Sequence, residues 1–158
     1  MKLADWGSQK IHCSIDDTLW IFKDITEHKE YVSIFENPIL KTMKKLHLKF
    51  GGEFTCYCFY NAWYNFTLAD STERFTKEFE ENANWLKFGF HGYGFDESGN
   101  DRTYESVDST ELMLKDYMQI TKELCRITSE KNLAQYLRLS SFKGSREGIG
   151  RLKKEGIK

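Results

Sequence analysis

Short β-prone runs and helix-patterned segments alternate along this chain, and the alternation restricts the folds open to it. Residues 10–15, ending in Cys13-Ser14-Ile15, form an apolar run that reads as a first strand. Residues 19–35 read as an irregular aromatic stretch. Asn37-Pro38 then offers an N-cap and a first-turn proline. Ile39, Leu40, Met43, Leu46, Leu48 and Phe50 follow at helical spacing until Gly51-Gly52 ends the pattern. Residues 53–59 predict a second strand, 71–84 a second helix with Phe75 and Phe79 on one side, and 85–91 a third strand. Residues 110–129, capped by Ser109, predict the longest helix. Residues 133–139 predict a fourth strand, and a last short helix runs from a Ser145 cap to near Gly156. Four strand–helix units in series predict an α/β fold with a parallel sheet and helical crossovers. A closed (β/α) barrel takes about 250 residues, and this chain has 158. The expectation is one domain, residues 1–158, shaped as a half barrel. It stops at Gly156-Ile157-Lys158, where a fifth strand would begin.

Charge and composition narrow the partners. The 23 basic and 24 acidic residues leave a net charge of −1, so no basic excess points to nucleic acid. No run of 18 apolar residues predicts a membrane span. The N-terminus lacks the basic-then-apolar layout of a signal peptide, which predicts a cytoplasmic protein. Cys13, Cys56, Cys58 and Cys125 read as reduced thiols. Cys56 and Cys58, two apart on a strand, would share one face as small core residues.

In a parallel sheet the strand C-terminal ends converge on one rim, where active sites of α/β proteins are built. The residues just past those ends are Asp16 and Asp17; Tyr60, Asn61, Trp63 and Tyr64; His91, Tyr93, Phe95, Asp96 and Glu97; and Ser140, Ser141 and Lys143. Adjacent strand residues point to opposite faces, so the two aspartates are expected to differ in role, one division being a metal ligand and a general base. Carboxylates accept hydrogen bonds from hydroxyls, and aromatic faces pack on the apolar C–H face of a pyranose. The rim therefore suits a carbohydrate, with Trp63, Tyr93 and Tyr60 as substrate-binding candidates.

Ser14-Ile15-Asp16-Asp17-Thr18 resembles the first motif of polysaccharide deacetylases, a strand ending in two aspartates. Phe88-Gly89-Phe90-His91 resembles the start of their second motif. The longer run Trp85-Leu86-Lys87-Phe88-Gly89-Phe90-His91, with Ser33-Ile34-Phe35-Glu36-Asn37-Pro38, resembles a divergent bacterial branch of that superfamily. The resemblance implies a distorted (β/α) barrel carrying a divalent metal, often zinc. Asp16 would be the general base, with Asp17 and His91 as metal ligands. The reaction would be metal-assisted hydrolysis of an N-acetyl group on an amino sugar. Two departures stand out. The family's second motif has two histidines four residues apart, and position 95 here is Phe, which leaves Asp96, Glu97 or His12 as the candidates to replace that ligand. Its later motifs would lie beyond Lys158.

Two readings follow, an N-acetyl hydrolase or a non-catalytic carbohydrate-binding or regulatory protein that kept the rim. A half barrel also leaves unpaired sheet edges, which predicts a homodimer or a partner chain.

Overall fold

The computed structural model describes residues 12–62, 65–96 and 98–158, with the backbone alone of His12. Its centre is an open parallel sheet of three strands, β1 (His12–Ile15), β2 (Glu53–Phe59) and β3 (Leu86–Gly92), in the order β1-β2-β3. Cys13 lies opposite Phe54, and Cys56 opposite Phe88. Helices α1 (Leu19–Glu27) and α2 (Pro38–Phe50) lead from β1 to β2, and α3 (Thr76–Glu81) precedes β3. The chain then continues through α4 (Thr110–Ile127) and α5 (Arg146–Lys154). The predicted α/β class and parallel sheet are present.

Side chains alternate across the strands, and the two faces differ. Phe54, Cys56 and Cys58 of β2 and Leu86, Phe88 and Phe90 of β3 join the main core. Phe22 of α1 and Phe79 of α3 meet Phe88 with ring centres 5.1 and 5.4 Å away, and Tyr117 of α4 meets Phe90 edge-on at 5.7 Å. The other face carries Tyr57, Phe59, Gly89 and His91. A Cβ at Gly89 would lie 2.9 Å from the Tyr57 ring and 3.0 Å from Ala134 Cβ. Only glycine lets residues 133–134 lie so close to that face.

Three expectations change. Residues 19–27, expected to be irregular, are helical, burying Leu19, Ile21, Phe22 and Ile25. The second helix is confined to α3, because the groups before it are claimed elsewhere. Arg126 donates to the carbonyls of Leu68, Ala69 and Ser71, and Thr72 N–H donates to Thr26 Oγ1. Residues 133–139 do not form a regular fourth strand. Leu133 makes one parallel bridge to Phe88, and Ala134 N–H donates to the Phe88 carbonyl at 2.8 Å. Farther along, the carbonyl of Arg138 accepts from the His91 ring rather than from a backbone amide. A side chain thus replaces the ladder, and the segment leaves β3.

Candidate functional site

The rim is built at the C-terminal ends of the strands. Past Ile15 the backbone turns sharply, and Asp17 adopts a left-handed φ of 56°. Thr18, fully buried, anchors the turn to β2. Its N–H and its Oγ1–H both donate to the Tyr57 carbonyl, at 3.1 and 3.0 Å. This turn leaves the strand geometry that would have sent the aspartates to opposite faces, and both reach the same corner.

They meet different partners there. Arg138 Nε–H donates to Asp16 Oδ2 at 2.9 Å and also lies 2.9 Å from Oδ1, which accepts no hydrogen bond. Arg138 also donates to Ser14 Oγ at 3.1 Å. Asp17 is 71% exposed and points Oδ1 at His91 Nε2, 3.3 Å away. His91 itself is only 5% exposed. Its Nδ1 lies 2.7 Å from the Arg138 carbonyl, which can only accept, so Nδ1 carries the hydrogen. In the neutral ring Nε2 is then a lone-pair atom facing a carboxylate oxygen. Two ligands of a tetrahedral ion with bonds of about 2.0–2.1 Å stand about 3.3–3.4 Å apart. The donor set and its spacing therefore fit two positions of a zinc-like site, with the buried imidazole oriented by a backbone carbonyl as metal-binding histidines commonly are.

A third protein ligand is not in view. Among the described residues no group of three His, Cys, Asp or Glu side chains converges. Phe95 is fastened by Asn61, which accepts from Phe95 N–H at 2.8 Å and donates to its carbonyl at 2.9 Å. Asp96 turns into its own loop, accepting from the Ser98 and Asn100 amides. Glu97 and the His12 side chain lie outside the described residues.

The aromatic candidates are placed unevenly. Trp63 and Tyr64 also lie outside the described residues. Tyr60 stacks on Tyr93 with centres 5.0 Å apart, and the Arg102 guanidinium sits 3.6 Å over the Tyr93 ring. Two groups that close cannot share one face, so both faces of Tyr93 are covered. Arg102 is fixed in turn by Asp116, 1% exposed, which accepts from Arg102 Nη1 and Tyr104 Oη at 2.8 Å each. Burial, and then the Asp116 charge, push the Tyr104 phenol far above its usual range. His91 also borders a cavity of about 110 Å³, lined besides by Phe59, Arg102, Thr103, Ser140, Ser141 and Lys143 among others.

The strand-end rule located Asp16, Asp17 and His91 together. It did not find Arg138, 122 positions from Asp16, because nothing local marks a mid-segment arginine as the partner of a distant carboxylate. Compared with known proteins, the chain matches no family model, no curated protein and no solved structure.

Proposed function

We propose that this chain is a metal-dependent hydrolase of the polysaccharide deacetylase type, acting on N-acetyl groups of amino sugars. The observation that carries the reading is the buried His91 Nε2 held 3.3 Å from Asp17 Oδ1 at the strand ends, beside the Asp16–Arg138 pair. Asp17 and His91 would hold a divalent ion, zinc by the chemistry of the set. Such an ion, when bound, lowers the pKa of a water and polarises a carbonyl. Asp16 serves as the general base, and Arg138 fixes the direction of its carboxylate. Tyr60 belongs to the substrate side of the same rim, Tyr93 offers only its ring edge there, and Trp63, the third aromatic candidate, lies outside the described residues. Reading the sheet as part of a (β/α) barrel belongs to the same proposal. Its support is the lateral order β1, β2, β3, residues 133–134 and then Lys158, whose N–H donates to the Gln135 carbonyl at 2.7 Å.

Elemental analysis of protein purified without chelator, with turnover of acetylated chitooligosaccharides in added zinc or cobalt, tests the reading. The wild type is expected to carry a single ion per chain, and His91→Ala and Asp17→Ala to lose it. Asp16→Asn is expected to keep the ion and lose turnover. A wild type with neither metal nor turnover sinks the proposal. A second reading, a non-catalytic carbohydrate-binding or regulatory protein, draws on Phe95, an apolar residue where a third ligand is expected. Glycan binding that persists after chelation and in Asp17→Ala, without turnover, would favour it.

A further inference from the structure

Phe142 is the most exposed aromatic side chain among the described residues, at 82%. It stands on a turn that an ordinary surface loop would avoid. Ser141 and Phe142 are consecutive non-glycine residues with positive φ, 53° and 56°. A bulky residue rarely adopts that conformation, and it persists only where its surroundings enforce it.

The surroundings here do enforce it. Leu139, nearly buried, anchors the turn on one side, and its carbonyl accepts from Phe142 N–H at 3.0 Å. On the other side Gly144 bridges to Tyr104, and Ser145 N–H donates to the Tyr104 carbonyl at 2.6 Å. The strain fixes the ring outward at the rim. Its neighbours tie it to the site: the Arg138 guanidinium lies 5.6 Å from the Phe142 ring centre, and that same side chain holds Asp16 at 2.9 Å. Ser140 and Ser141, on the same turn, line the cavity that His91 also borders. Tyr93 has no free face to offer, as shown above.

We propose that Phe142 is the stacking platform of the site, receiving the apolar C–H face of a pyranose. Hydroxyls at the sugar's edge reach Ser140, Ser141 and Thr103 in the adjoining cavity. The inference rests on the carbohydrate reading of the rim and adds the residue that gives it affinity. It does not depend on catalysis.

The test is titration of the full chain with tri-N-acetylchitotriose in the presence of a chelator, for wild type, Phe142→Ala and Phe142→Tyr. Turnover with added zinc is measured alongside. Phe142→Ala is expected to weaken binding by roughly tenfold, the scale of a lost aromatic contact, while Phe142→Tyr retains it. Thermal unfolding should show Phe142→Ala folded, since an exposed ring supports no core. Equal affinity in Phe142→Ala and wild type overturns the proposal, as does a wild type that does not bind the trisaccharide. Loss of binding in Phe142→Ala with no turnover by the wild type leaves the platform standing and removes the deacetylase reading. Turnover that Phe142→Ala leaves unchanged does the reverse.

Discussion

Thr18 joins the aspartate turn to the sheet, and its energetics reach into β2. Besides its two bonds to the Tyr57 carbonyl, its Oγ1 lies 2.9 Å from Cys58 Sγ. Thr18→Val keeps the shape and removes the hydroxyl from a fully buried spot. The expected loss is about 1–3 kcal/mol, read by urea denaturation, and Thr18→Ser should recover most of it. Burial pushes the Cys58 thiol from its ordinary 9.0 up to about 12, with the Thr18 hydrogen bond pulling the other way. The unfolded chain therefore releases this proton first as pH rises. Stability from this group is intact below about pH 9 and falls between about pH 9 and 12, by at most ~1.4 kcal/mol per pH unit. Denaturation at pH 8, 10 and 11 checks the sign, and Cys58→Ala should flatten this part of the slope. Asp16, Asp17 and His91 were legible in the sequence because strand ends in a parallel sheet share a rim. Thr18 and Arg138 were not, because their roles exist only through partners 39 and 122 positions away.

Helix ends were the most readable elements, and α2 explains why. Asn37 Oδ1 accepts from both Ile39 and Leu40 amides at 3.1 Å, Pro38 opens the first turn, and Gly51 closes the helix with a φ of 68°. All of these are local signals. The buried Asn37 also donates through Nδ2 to Asp24 Oδ2 at 2.7 Å, linking α2 to α1. Asn37→Ala should cost about 2 kcal/mol. Asn37→Asp keeps the cap acceptor but sets a second carboxylate against Asp24, so it should rescue little at neutral pH. A stability equal to wild type at pH 7 would contradict this account. Helix α1 was missed because its apolar residues, among them Trp20, Ile21, Phe22 and Ile25, are aromatic or β-branched, and such residues carry weak helical propensity. Packing against Phe79 and Phe88 overrides it. The fourth strand was misread for the opposite reason. Its alternation suits a strand, but the His91 ring takes the carbonyl that a ladder would need.

The edges of the sheet set the behaviour of the whole molecule. On the β3 side, residues 133–134 already occupy the edge. Among the described residues β1 pairs with β2 alone, and Ile15 at its end is exposed. A parallel sheet has both faces covered and gains from covered edges as well, since an open one presents unpaired amides and carbonyls to any strand that passes. The net charge of −1 offers little long-range repulsion to keep two copies apart. Self-association through the β1 edge is the expected consequence, placing two aspartate turns near one interface. Sedimentation at micromolar concentrations should detect a dimer, and Ile15→Lys, which puts a charge on that edge, should shift it to monomer without lowering the unfolding midpoint of the monomer. A wild type that sediments as a single monomeric species across that range would refute pairing through β1.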